Sequence, residues 1–137
     1  RSILDGFDAE FSEILINKIF IQGAKGECIG VKRGEYKINE AILNNCLDHS
    51  VSVGEHATLD GNKLFANNNA NGNGIMAKDS SKIIIHEYKN IGSKKCLLSI
   101  RKKENYDGAL IKVKKDKFFC DATNRLSNDK YSMIEFF

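Results

Sequence analysis

Charged side chains recur at one offset along this chain. Four residues after each of Phe7, Ile29, Val51, Ile75 and Leu97 stand Phe11, Arg33, Glu55, Asp79 and Arg101. If the five segments stack as equivalent strands, these side chains form one column at about 4.8 Å per step, and Glu55 and Asp79 become neighbours. Two carboxylates that close cannot ionise independently, so one pKa rises. Acid pairs of this kind do acid/base work in polysaccharide-cleaving enzymes, and carboxylates from adjacent strands also suit Ca²⁺. Arg101 supplies a cation beside the pair. His56 and Lys102, one residue further along, add a proton carrier and a second cation. On this reading Glu55, Asp79, Arg101 and His56 are the catalytic candidates of a polysaccharide lyase, hydrolase or epimerase.

The same column has a structural use. It runs Arg–Glu–Asp–Arg, so each acid has an arginine on its other side and the column neutralises itself as cross-strand pairs. Exposed pairs contribute only ~0–1 kcal/mol each. Their larger effect is on register, because a slipped strand would bring like charges together. The adjoining column Glu10, Lys32, Gly54, Lys78, Ile100 holds no acid pair and reads as a solvated face. Asp5, Asp8 and Glu10 crowd the first segment, where solvation is the expectation and Ca²⁺ the alternative. His49 and His86 are expected as polar surface residues. The chain carries no phosphate-binding glycine loop, nucleophile elbow or zinc-binding helix motif, so no resident metal is expected.

The elements that position these residues follow from the spacing. The leading apolar positions are separated by 22, 22, 24 and 22 residues. The residue before each is small (Gly6, Cys28, Ser50, Gly74, Cys96). A second ladder follows at Ile14/Ile16/Ile19, Tyr36/Ile38/Ala41, Leu59/Gly61/Leu64 and Ile83/Ile85/Tyr88. Within each run the apolar residues alternate, which is strand periodicity. Turn-rich pieces separate the runs, among them Asn67 to Asn73, where Asn and Gly tolerate a corner. A leucine-rich repeat lacks its motif here, and a propeller blade needs about 40 residues. The expected fold is therefore all-β, a right-handed parallel β-helix of about five to six coils with 22–24 residues each. One domain spans 1–137, with coils near 5–26, 27–48, 49–72, 73–94 and 95–121 and a C-terminal cap at 122–137. The fifth coil holds about five extra residues near Arg101 to Asp107, and such loops are where solenoids place specificity.

Bulk properties narrow the function classes. The 137 residues carry a formal charge of +3, with lysines and arginines scattered among acids, which argues against a nucleic-acid footprint. No apolar run reaches the ~20 residues of a membrane-spanning helix. The absence of proline suits a laddered chain in which each N–H is needed. The chain opens on Arg1, and the expectation is a segment of something longer with an export signal upstream. Cys28, Cys46, Cys96 and Cys120 show no metal-binding spacing. Cys28 and Cys96 occupy one repeat position three coils apart, about 14 Å, beyond the ~7 Å limit of a disulfide. Free, buried thiols are expected, which leaves a cytoplasmic site open beside an extracellular or cell-surface one.

The coils Gly6 to Ser12, Val51 to His56 and Gly74 to Lys82 resemble right-handed β-helix repeats in the C-terminal part of bacterial surface proteins that carry CotH-kinase-like or lamin-tail-like modules. Arg101 to Ala109 resembles the loop that interrupts the last coil there. The resemblance covers roughly residues 5 to 121. It implies a β-helix with no assigned activity.

The leading expectation is thus a non-catalytic scaffold, adhesion or glycan-contact module of a bacterial surface or extracellular protein. Its binding candidates are Asn69, Asn71, Lys102 and Tyr106, its possible partner a polysaccharide, and no cofactor is expected beyond a Ca²⁺ alternative. The polysaccharide-active enzyme stands as the second reading. An end-to-end self-assembling unit stands as the third, because an uncapped β-helix end invites further pairing.

Overall fold

The structure, a computed structural model, describes residues 6–68 and 72–137. It is a parallel β-solenoid of about six turns, and no α-helix occurs among the described residues. Eleven strands follow in order: β1 (Phe7–Ala24), β2 (Ile29–Cys46), β3 (His49–Gly54), β4 (Thr58–Asn67), β5 (Asn73–Lys78), β6 (Lys82–Ile91), β7 (Leu97–Ile100), β8 (Leu110–Val113), β9 (Phe118–Cys120), β10 (Leu126–Asn128) and β11 (Met133–Phe136). A single 3₁₀ turn, Lys115–Lys117, precedes β9.

Each of the first five coils lays down three strand runs. The first run of successive coils pairs Phe7 with Ile29, Val51, Ile75, Leu97 and Leu126. The second pairs Ile14 with Tyr36, Leu59, Ile83, Ile111 and Ile134. The third pairs Ile19 with Ala41, Leu64, Tyr88 and Phe118. These are the two apolar ladders of the sequence, so the expected register holds residue for residue over the first four coils. Inward members such as Ile29, Val51, Leu59, Ile83, Leu97 and Ile111 are buried, and side chains from all three runs meet in one core. A fully buried aliphatic side chain stabilises by roughly 1.5–3 kcal/mol. One coil has no partner for that face, and stacking supplies it.

The small column before the first run has a steric cause. A Cβ on Gly74 would lie 2.3 Å from the carbonyl oxygen of Cys96 and 2.3 Å from the hydroxyl of Tyr88. Tyr88 is buried, donates its O–H to that Cys96 carbonyl at 2.8 Å and accepts from Asn90 Nδ2 at 2.6 Å.

The cysteines are not free. Cys28 bonds Cys46 and Cys96 bonds Cys120, with Cα separations of 5.4 and 6.3 Å. Equivalent positions on different coils do stay apart, but each coil returns near its own starting point, which brings its first and last residues together. Cys28 and Cys46 are 18 residues apart, and Cys96 and Cys120 are 24. Each bond therefore closes one coil across its third corner.

The C-terminal segment also does more than cover the end. β10 pairs with β7 and β11 with β8 in parallel register, so 126–136 forms a sixth, shortened coil. Between β7 and β8 the chain makes a nine-residue excursion, 101–109, the expected loop of the fifth coil.

Candidate functional site

The charged column lies at a corner rather than along a strand. Phe11, Arg33, Glu55 and Asp79 adopt φ of 54°, 41°, 45° and 53°, and His56 and Ser80 follow at 66° and 64°. Every coil from the first to the fourth turns from its first strand run to its second here. Left-handed backbone costs a non-glycine residue about 1–2 kcal/mol, so surrounding contacts must hold the corner. At the second coil Gly34 completes it with φ 144°, where a Cβ would lie 2.1 Å from the carbonyl oxygen of Ser12.

Those contacts differ from a simple exposed ladder. Glu55 is 4% exposed and Asp79 is fully buried. Arg33 Nη1 lies 2.8 Å from Glu55 Oε1, and Lys103 Nζ donates to Glu55 Oε2. Arg33 also approaches Glu10 at 3.4 Å and donates from Nη2 to the hydroxyl of Tyr106 at 2.7 Å. Asp79 Oδ1 accepts the backbone N–H groups of Lys102 and Lys103 at 2.6 and 2.9 Å. Its Oδ2 is buried and has no hydrogen-bond partner.

The expected pairing of Asp79 with Arg101 does not form. Arg101 lies over the Tyr131 ring at 3.7 Å, and its N–H donates to Asp129 Oδ2 at 2.7 Å. The nine-residue loop displaces Arg101 from the corner and puts backbone amides of Lys102 and Lys103 in its place. His56 is exposed and its ring lies 5.2 Å from that of Tyr106. The Lys102 side chain is exposed. Asn69 and Asn71 lie outside the described residues. Their neighbour Asn68 is buried: its Oδ1 accepts the N–H of Cys46, and its Nδ2 donates to Ser50, Ser93 and the carbonyl of Asn73.

Loop 101–109 thus closes over the acids. Lys103 holds the Glu55 carboxyl below its ordinary pKa through its hydrogen bond, burial opposes, and Arg33 adds to the lowering. A general acid needs the opposite shift. The arrangement is a cross-coil clasp, in which a corner acid anchors a loop from two coils further on.

A second cluster of ligand-type atoms lies at the third corner, where Glu27, Asp48 and His49 offer atoms within 4.8 Å of one another. His49 is buried rather than on the surface, with Nδ1 3.2 Å from Asp48 and 4.0 Å from Glu27. Burial lowers its pKa, and Asp48 opposes. Lys78 and Lys102 act on His49 in the same sense as burial, and a cation bound there would meet the same repulsion.

The sequence reading missed the outer face of the third strand run. Phe20 pairs with Ile42, Ile42 with Phe65, Phe65 with Lys89 and Lys89 with Phe119. Phe20 is 59% exposed and Phe119 51%. Two residues back run Lys18, Glu40, Lys63 and Glu87. Two residues on run Gln22, Asn44 and Asn67, with Asn44 Nδ2 donating to Gln22 Oε1 at 3.1 Å. The signal was available: each member of the column from Phe20 to Lys89 lies one residue after the inward ladder Ile19, Ala41, Leu64, Tyr88, so it must point outward. At the preceding corner Asn17, Asn39 and Asn62 form an amide ladder with bonds of 3.3 and 3.1 Å.

Among the described residues no helix is long and apolar enough to cross a membrane. No protein family, curated protein or solved structure matches this chain, so the resemblance to CotH-kinase-like and lamin-tail-like surface proteins rests on the coil motifs alone.

Proposed function

We propose that this chain is a non-catalytic β-solenoid module of an exported, surface-exposed bacterial protein, a rigid scaffold that presents its outer faces to a partner such as a polysaccharide. One observation carries the reading. The acid pair on adjacent coils, the feature that would support glycan cleavage, is consumed by the fold: Glu55 by Arg33 and Lys103, Asp79 by two backbone amides. Two disulfides favour an oxidising compartment. The aromatics beside the acids are engaged by the corner, Phe11 under the Arg33 guanidinium and Tyr106 by Arg33 and His56, and the exposed Phe20 and Phe119 belong to a different strand run, whereas a polysaccharide-active enzyme needs sugar subsites beside its carboxylates.

The test is the double variant Glu55→Gln with Asp79→Asn. The expected result is that the parent protein releases no reducing ends from a panel of polysaccharides, and that the variant melts at a lower temperature. Release by the parent, lost in the variant with its melting temperature unchanged, is the outcome that contradicts the scaffold.

End-to-end association is a second reading, favoured by β1. It pairs only with β2 among the described residues, and it carries the exposed Phe11, Leu15 and Phe20. Sedimentation velocity decides it: a sedimentation coefficient that rises with concentration supports stacking, and one that stays constant excludes it.

A further inference from the structure

We infer that the outer face of the third strand run is a binding groove for a neutral, extended β-1,4-linked hexose chain lying along the solenoid axis. This rests on the scaffold reading above and names the partner of that surface. The floor is the column Phe20, Ile42, Phe65, Lys89, Phe119, one residue from each of five coils, apolar at every step but Lys89. At about 4.8 Å per coil it extends roughly 19 Å. An extended β-1,4-linked hexopyranose chain repeats at close to the coil spacing, so each successive sugar can meet one step of the column. The C–H faces of such sugars are apolar and lie flat on aromatic rings, which offer large, rigid contact area.

The walls fit the rest of a sugar. On one side Gln22, Asn44 and Asn67 form a carboxamide column. A carboxamide carries two donor hydrogens and two acceptor lone pairs. The single bond between Asn44 and Gln22 therefore leaves capacity for hydroxyl groups. On the other side Lys18, Glu40, Lys63 and Glu87 alternate in sign, and Lys18 reaches Glu40 at 3.9 Å. Alternation cancels the field along the wall, and in the cavity Lys89 and Lys117 are balanced by Glu87 and Asp116, so the groove has no net charge to draw a polyanion. The centre of the face is concave, a cavity of about 650 Å³ lined by Ile42, Asn44, Phe65, Lys89 and Phe119 among others. That volume is within the range of small-ligand sites.

The shape argues against a protein partner. The stripe is narrow, interrupted by Lys89 and widened only at Ile91, which follows Asn67 in the carboxamide column, whereas a stable protein interface buries about 800 Å² on each side around an apolar centre. The acid clasp takes no part, because Glu55 and Asp79 lie at the corner between the first and second runs.

The experiment is titration calorimetry of the intact chain with three neutral hexasaccharides, cellohexaose, mannohexaose and chitohexaose, and with hexagalacturonate. At least one neutral oligosaccharide is expected to bind, and hexagalacturonate more weakly. Phe20→Ala and Phe119→Ala, both at exposed rings, should each weaken binding roughly fivefold to tenfold, the size of one lost aromatic contact. Leu15→Ala, on the outer face of the second run, should change nothing. Circular dichroism melts of each variant separate lost contact from lost fold. The inference is overturned by no heat from any neutral hexasaccharide, by tighter binding of hexagalacturonate, or by unchanged affinity in folded Phe20→Ala and Phe119→Ala. A dimer that these two substitutions dissociate would assign the stripe to a second copy and overturn it as well. Those failures leave the scaffold reading intact, since that rests on the acid clasp. Cleavage of a bound hexasaccharide would instead contradict the scaffold and leave the groove standing.

Discussion

The ammonium of Lys103 sits on the buried carboxylate of Glu55, although 48 residues of chain separate them. The contact joins the corner of the third coil to the loop of the fifth. Asp79, at the corner of the coil between them, binds the backbone of the same loop. A column that suggests acid/base chemistry is therefore a fastening for a long loop.

That clasp has a pH signature. The folded pKa of Glu55 lies below its ordinary value near 4.5, first because of the Lys103 hydrogen bond. The unfolded chain then binds more protons than the folded one near that pH, so stability rises with pH there. The contribution is complete above about pH 4.5 and is lost as pH falls through the lower folded pKa. Urea midpoints measured from about pH 6 down to pH 3 should fall more steeply for the parent protein than for Glu55→Gln. Equal slopes would show that Glu55 is not stabilised as the anion. At neutral pH Glu55→Gln should cost about 1 kcal/mol, a modest value because Lys103 is half exposed.

Each disulfide should act on its own coil. Loops of 18 and 24 residues correspond to about 3 kcal/mol apiece in the chain-entropy account. Replacing Cys28 and Cys46 together by serine, or Cys96 and Cys120 together, should lower the urea-unfolding free energy by that amount. Peptide mapping without reductant should recover Cys28 linked to Cys46 and Cys96 linked to Cys120. Any other linkage would contradict the coil-closing geometry.

Asn68 should be the costliest single polar residue at the third corner. Its carboxamide takes the N–H of Cys46 and gives to Ser50, Ser93 and Asn73, all at 3.0–3.2 Å. Asn68→Ala orphans a buried N–H beside the first disulfide and should cost about 2–3 kcal/mol in urea unfolding. Asn62→Ala, at the exposed amide ladder, is the control and should stay within about 0.5 kcal/mol of the parent. A cost for Asn68→Ala as small as that of the control would remove Asn68 from the corner's support.

The repeat was legible because stacking demands equivalence. Phe7, Ile29, Val51, Ile75 and Leu97 must all face one core at one spacing, and a one-residue slip would turn every side chain to the other face. The second ladder and the position of the loop were legible for the same reason. What stayed hidden depends on closing the coil. Cys46 returns to Cys28 only after the chain has gone round, and Asn68 turns inward only because Cys46, Ser50 and Ser93 offer partners there. The outward stripe Phe20, Ile42, Phe65 was passed over because aromatic and branched residues in an alternating run are ordinarily assigned to a core.

Sequence alone therefore determined the solenoid, its register, the columns and the place of the irregular loop, since period-two alternation repeated at a constant interval admits few three-dimensional solutions. Tertiary structure alone decided what those columns do. Which cysteines meet, where Arg101 goes as the first residue of a nine-residue loop, and that Lys103 rather than Arg101 reaches the acid column all depend on through-space distances. Those are set by the corners, whose left-handed residues Arg33, Glu55 and Asp79 carry no glycine-like signal in the sequence.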